Sequence, residues 1–453
     1  MMNENNEKIE NGPGFDSRAE KIKAIRAALQ NNGNSEAPAA GNDAAPEEYA
    51  PRHERSPETG DAPRKPRRPD GSGKPAGKSG KKPVKKGGKK KKKKKKTFGQ
   101  KVRGLFPEKG DSVLEIARKI IFLASVIAIV VCGYLVGDYY LDLWRNRRAN
   151  DEIVEIYNTY RPIGHEEIEN TTNEDGSSSK YYELMDGAKK LLDINDDTVG
   201  FLTIPTIDGQ PIIALPVVQA NDNSKYLDRS FKGEQSRAGT LFMDWRNSFD
   251  RVRDHKLVEL NSENIIIYGH NMADESMFGK LKYYERNYDY YDSHPIIQLN
   301  SNYETYTYKI FSVMIVDAKD ESETKYDCWN RLNFSDENDF YDFVNGAKRR
   351  SMCLNDVDVL YGDQLLTLST CNYLLDDRSR LIIMARQVRP GEDPYEGTAN
   401  STRSENVLWP SMYYDLKPNE KYDWDELFVP YGPEDARKEA LEKAEKEKSK
   451  DKE

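Results

Sequence analysis

Cysteine is scarce: four thiols in 453 residues, at positions 132, 328, 353 and 371. That excludes a small domain stapled by a dense disulfide framework. Histidine is nearly as sparse, with five residues. No HExxH, paired CxxC, GxxxxGK[ST] or GxGxxG occurs, so zinc-protease, zinc-ribbon, P-loop and dinucleotide chemistries lack their residues. The acidic stretch "DINDDTVG" has no glycine at the sixth position of a calcium loop. No metal and no cofactor is expected. Residues 1–100 hold few large apolar side chains. They bury too little surface to offset the entropy of ordering and are expected to be disordered, apart from a short helical pattern at 17–30 with Ile22, Ile25 and Leu29 on one face.

Charge is present in abundance but unevenly placed. Between Arg64 and Arg103 there are 20 basic residues against one acid, Asp70. The whole chain carries −8, so the remainder carries −27, that is −8 less +19. This is a basic tail joined to an acidic globular part. After it comes "IIFLASVIAIVVCGYLV", Ile120–Val136, 17 residues without a charge. That is enough for a short membrane span, and a buried core helix is the blander reading. The lysine block at 89–96 ends 23 residues before it, which puts the N-terminus in the cytoplasm and the rest outside. Arg145, Arg147 and Arg148 on the far side weigh the other way and are outnumbered. Two partners fit the lysines. Nucleic-acid phosphates are one, but no aromatic residue interleaves to stack on bases. Anionic lipid is the simpler partner, at about 1 kcal/mol per basic residue near the surface. Three cysteines then lie outside, an odd number, so at least one thiol stays free or pairs with another chain.

Beyond the span, residues 138–165 and 180–196 read as helices, with Ile153, Ile156 and Tyr157, then Leu184, Ala188, Leu191 and Leu192, at helical spacing. The stretch 170–180 reads as their connecting loop. From Val199 the texture turns to strands: the Ile/Val/Thr-rich run to Gln219, then 238–244, 264–270, 303–317, 364–370 and 380–388. A helix separates the last two pairs, with Ser335 as its expected N-cap and Lys348, Arg349 and Arg350 in its last turn. Such a pattern predicts one β-barrel-like domain of roughly 230–280 residues. The expected organisation is a disordered basic tail over 1–110, a transmembrane helix over 117–138, and a linker with N-terminal helices over 139–198. A barrel over 199–390 and an extension with a charged tail over 391–453 complete it.

Within this frame Cys371 ends "TLSTC", where a strand breaks into an acidic loop. A reactive thiol needs a proton-transfer partner and positive charge near the developing oxyanion. Among His165, His255, His270 and His294, His270 follows "NIIIY" at a strand end. A hairpin between 364–371 and 380–388 would set Arg380 beside Cys371, with Arg378 as the other arginine in reach. Taken singly, a free cysteine, a strand-end histidine and an arginine are each more often structural.

"TLSTC", the arginine of "RLIIMA" nine residues on, and "YGHNM" about 100 residues upstream together resemble the class B sortases. The resemblance extends over Asp151–Pro390, through "FLTIPTIDGQPIIALPVVQ" and "MFGKLKYYERNYDYYDSHP". It implies a mainly β (α+β) fold: a closed eight-stranded sortase-type barrel with N-terminal helices and an inserted helix before the catalytic strand. It implies Cys371 as nucleophile, His270 as general acid/base and Arg380 as oxyanion-stabilising and substrate-positioning residue. Ser369, with Thr370, would lie near the bound signal. The implied activity is that of a cysteine transpeptidase of the hydrolase/peptidase class. It would cut an NPxTN- or (S/N/P)PxTG-like C-terminal sorting signal after Thr and pass the acyl group to an amine of peptidoglycan precursor or pilin. Partners would be signal-bearing surface proteins, that amine and the membrane, with no nucleic acid. The rivals are a non-catalytic envelope scaffold on the same barrel and a papain-like hydrolase, which the missing "CGSCW"-type helix start disfavours.

Overall fold

The computed structural model describes residues 103–160 and 178–433, except 208, 323, 324, 373, 376 and 400, with isolated positions at 99, 171, 172, 438, 439 and 442. The expected disordered tail, the helical pattern at 17–30, the lysine block, His165 and nearly all of the terminal charged segment lie outside the described residues. From Val113 to Thr159 no proline interrupts the chain, and it forms one 47-residue helix, α1. Its most apolar 18-residue stretch has no buried residue. Further along, Leu143, Asn146, Ile153 and Tyr157 are buried on one face. Asn146 Nδ2 donates to Ser236 Oγ at 2.8 Å. The Tyr157 ring stacks on Phe201 with centroids 4.0 Å apart.

The second expected helix is shorter than read. Only Asp186–Leu192 is helical, α2. Before it the backbone is spent on the barrel's loops instead, Tyr182 N donating to His255 O and Met185 N to Asn302 O, both at 3.0 Å. Tertiary hydrogen bonds override helix propensity there. Between the helices Thr171–Thr172 pairs with Ser178–Ser179.

The core is a closed barrel of eight strands: β1 Thr198–Thr206, β2 Gly209–Val218, β3 Leu241–Met243, β4 Asn264–Tyr268, β5 Ile296–Ser301, β6 Thr305–Asp317, β7 Leu365–Cys371 and β8 Ser379–Gln387. Their order around the barrel is β6-β8-β7-β4-β3-β2-β1-β5, with β5 closing onto β6. The β2–β3 and β4–β7 pairs are parallel and the rest antiparallel. β5 is the strand the sequence patterning misses, because Gln298 and Asn300 interrupt its apolar residues. It forms because both neighbours take up its backbone. Alternation sorts the side chains: Leu366, Leu368, Leu381, Ile383 and Ala385 fill the interior, while Leu365, Ile382 and Met384 meet a second, outer cluster.

Three further helices lie along the connections: α3 Lys282–Arg286, α4 Tyr288–Ser293 and α5 Glu337–Arg350. α5 covers the outer cluster with Phe340, Phe343, Val344 and Ala347. Its N-cap is Asp336, whose side chain accepts from Asp339 N at 3.0 Å, one residue later than expected. Ser335 Oγ instead bonds the Asp339 carboxylate at 3.2 Å. The basic last turn is covered by the C-terminal segment: the Arg349 guanidinium stands 3.7 Å over Phe428 and Lys348 Nζ 4.2 Å over Tyr431. In that segment Ser411–Leu416 forms a final helix, α6.

At the far end of β6 and β8, a buried ionic network fastens the start of this extension. Lys309 Nζ lies 2.5 Å from Glu392 Oε1, and Arg386 donates to Glu392 and to Asp358. Arg389 bridges Asp358 and Asp363 at 2.8 and 2.6 Å. Burial disfavours the charged Glu392, but hydrogen bonds from Arg386 and Lys309 outweigh it and hold its carboxyl below the usual range. Replacing Glu392 by Gln leaves two buried cations short of an anion, so urea unfolding at pH 7 should lose about 3–5 kcal/mol of stability. A depressed carboxyl stabilises above its unfolded pKa and ceases to as pH falls. The gap between wild type and Glu392→Gln should therefore narrow below about pH 4.

Candidate functional site

Cys371 is the last residue of β7, and its partner across the antiparallel ladder is Arg380 on β8. Directly opposed residues project to the same side of a sheet. Leu381 and Leu368 face the interior, so Cys371 and Arg380 share the barrel's outer face. Both are half-buried. Arg380 Nη1 donates to the carbonyls of Asp377 and Ser379, each at 2.9 Å, and no carboxylate pairs with it among the described residues. Arg378, the alternative, is engaged by the buried Asp317 at 3.6 Å.

His270 follows β4, the parallel neighbour of β7 with Tyr268 opposite Ser369. The turn that carries it is sewn to the end of β7. Gly269 N donates to Ser369 O at 3.3 Å, Thr370 Oγ1 to Gly269 O at 2.7 Å, and Asn271 Nδ2 to Cys371 O at 2.9 Å. Gly269 allows this closeness: a Cβ there would stand 2.4 Å from Leu241 Cδ2 and 2.7 Å from Phe278 Cδ2. The ring's Nε2 lies 2.7 Å from Leu227 O. A carbonyl only accepts, so Nε2 carries the hydrogen in this contact. Among the described residues Cys371 Sγ makes no hydrogen bond, to His270 or otherwise. The other described histidines are structural: His255 stacks on Tyr181, and His294 is buried against Tyr290.

Ser369 and Thr370 are both buried. Ser369 Oγ accepts from the Trp329 indole at 3.1 Å. Trp329 belongs to the β6–α5 connection, and its carbonyl accepts from Arg246 at 2.6 Å. Arg246 in turn forms an ion pair with the fully buried Asp244, which also receives the Tyr268 hydroxyl at 3.0 Å. Burial opposes ionisation of Asp244, and Arg246 overcomes it to keep the carboxyl low. Burial, then Asp244, pushes the Tyr268 phenol well up. Sequence reading passed over Asn271, Trp329, Asp244 and Arg246. "FMDWRN" offered a signal only in its acid and arginine two apart, a common spacing. No described cluster of His, Cys, Asp and Glu is arranged to hold a metal.

At one rim of the closed mixed barrel a thiol lies opposite an arginine, with a strand-end histidine on the turn after the neighbouring strand. Residues 202–388 match the model of the Sortase domain. Sortase B of Listeria monocytogenes is 34% identical over 220 residues, 48% of this chain and 78% of that protein. Sortase B of Staphylococcus aureus is 27% identical over 270 residues, 59% of this chain and 95% of that protein. Among solved structures, sortase B from Bacillus anthracis in complex with AAEK1 is 30% identical, over 55% of this chain and 99% of that one, with a TM-score of 0.42. The Staphylococcus aureus sortase B–substrate complex is 24% identical, over 55% and 99%, with a TM-score of 0.44. The chain belongs to the sortase family, class B, and is a cysteine transpeptidase of the cell envelope. Sortases act on surface proteins bearing sorting signals and on cell-wall amines.

The three cysteines beyond α1 differ in access. Cys328 and Cys353 are buried, and burial pushes their thiols up, that of Cys353 to about 11. Iodoacetamide at pH 7.5 on the full chain in detergent, read by peptide mapping, should modify Cys371 at least about tenfold faster than either. Equal rates would remove the case for an accessible, activated thiol.

Proposed function

We propose that Cys371 is the nucleophile, His270 the general acid/base, and Arg380 the residue that stabilises the oxyanion and positions the substrate. The observation that carries this reading is the register that opposes Cys371 to Arg380, one strand from the turn holding His270. Ser369 and Thr370 would contribute to the donor's seat, Ser369 through its hydroxyl and Thr370 by holding the His270 turn. The donor is a surface protein with an NPxTN- or (S/N/P)PxTG-like signal, cut after Thr.

The chemistry runs in two halves. The Cys371 thiol gives its proton to His270 Nδ1 as the sulfur attacks the scissile carbonyl, and the C–N bond breaks as His270 passes that proton to the leaving amine. A thioester remains. An amine of peptidoglycan precursor or pilin then attacks it. The new C–N bond forms, the C–S bond breaks with its electron pair returning to sulfur, and His270 takes the amine's proton. Arg380 supplies hydrogen bonds where negative charge gathers in both halves. Formally this is hydrolase/peptidase chemistry diverted to an amine.

α1, with its unburied apolar stretch, supports single-pass anchoring. In this reading the basic tail over 1–110 lies in the cytoplasm against anionic lipid and the span covers 117–138. The linker and helices 139–198, the barrel 199–390 and the extension 391–453 lie outside.

The test is cleavage of a C-terminal sorting-peptide library by the full chain in micelles. Cys371→Ala should abolish it. Arg380→Ala should lower kcat/KM by about 10²–10³, against less than about tenfold for Arg378→Ala. Cleavage surviving in Cys371→Ala would overturn the mechanism.

A further inference from the structure

Residues 403–420 lie beyond the segment that matches the family model, yet they build a wall beside the hairpin that bears Cys371. Between this wall, α3 and the β7–β8 connection is a cavity of about 790 Å³, with Glu285, Leu374, Leu375, Trp409, Tyr413 and Leu416 among its lining. The wall is fixed. Arg403 pairs with Cys353, Ser404 N donates to Met352 O at 3.0 Å, and Leu408 N to Arg349 O at 2.9 Å. Ser411 Oγ donates to Asp320 Oδ1 at 3.1 Å, and Trp409 stacks on Tyr413 with centroids 4.6 Å apart.

One hydrogen bond joins the cavity to the thiol's own backbone: Asn372, the residue after Cys371, donates its side-chain N–H to Glu285 Oε2. Glu285 is half-buried and has no salt-bridge partner among the described residues. The cleft therefore presents a carboxylate, bonded to Asn372 and without a salt-bridge partner among the described residues, an apolar and aromatic body, and an open rim bearing the exposed Arg403 and Glu405. A short peptide with an ammonium group at its tip complements each part. The ammonium meets Glu285, the stem lies on Trp409 and Leu416, and the peptide's own charges reach the rim.

We infer that this cleft is the binding site for the acyl acceptor, an amine-bearing peptide, and that the C-terminal extension sets acceptor specificity. The inference rests on the thioester reading given under Proposed function and adds to it where the second substrate sits. The sulfur's side of the reaction is unchanged.

The full chain in micelles is assayed with a cleavable donor peptide and two acceptor probes, triglycine and a tripeptide containing diaminopimelate. Leu416→Arg, at an exposed position, and Glu285→Gln should each raise the acceptor concentration for half-maximal transfer at least tenfold with the preferred probe. In a Cys371→Ala background the same probe should change tryptophan emission, and Trp409→Phe should remove the change. Acceptor dependence unmoved in Leu416→Arg, or no emission change with either probe, overturns the inference. Release of the donor's leaving peptide by wild type in the first turnover needs no acceptor. If that release is absent the thioester reading fails; if it occurs while acceptor dependence is unmoved, only the acceptor cleft fails.

Discussion

The parallel pairing of β4 with β7 is the contact on which the site depends. It joins residues about 100 apart in the chain, with Leu365 to Ser369 set against Asn264 to Tyr268. Loop-closure entropy opposes such a pairing, and burial of both strands in a closed barrel offsets it. Once formed, it leaves the ends of two strands side by side. The bonds from Gly269, Thr370 and Asn271 then have nowhere else to go. A slip of one residue in either register would turn Cys371 toward the interior or part it from Arg380.

Around this rim the structure invests in polar contacts that are buried rather than exposed. Asp244, Arg246, Tyr268 and Trp329 lock the β6–α5 connection against the outer face of the barrel. A second network, around Arg386 and Glu392, fastens the extension at the other end of the same strands. Buried charges of this kind are tolerated only when every partner is present. The extension is thus integral to the fold: its aromatic rings cover the basic end of α5, and its backbone pairs at Cys353.

Much of this could be read in the linear chain. Strong Ile/Val/Leu runs announce β4, β6, β7 and β8, and an expected capping serine with basic residues Lys348, Arg349 and Arg350 in the last turn announces α5. Cys371 and Arg380 were readable because a hairpin is local, and nine residues suffice to predict which side chains meet. β5 was not, since its stability lies in two neighbours rather than in its own side chains. Residues 180–185 carry a helical pattern and form no helix, for the same reason: Tyr182 and Met185 give their backbone N–H to His255 and Asn302. The aromatic stretch from Trp409 to Tyr431 carried no signal of where it would dock, because the arginines and lysine it covers lie some 60 to 80 residues earlier.

Composition and local pattern therefore determined the charged tail, the apolar helix, the strand-rich domain and the identity of a single thiol worth following. Those properties depend on side chains near one another in sequence, where spacing alone fixes periodicity and polarity. Only the tertiary structure decided that Arg378 is engaged by Asp317, while Arg380, opposite Cys371, donates to backbone carbonyls and meets no carboxylate among the described residues. It also decided that His270 gives its Nε2–H to a carbonyl, and that the extension walls a cleft whose Glu285 is bonded to Asn372, the residue after Cys371. Each of these follows from the closure of a barrel, a global constraint that brings strand ends together regardless of their separation along the chain.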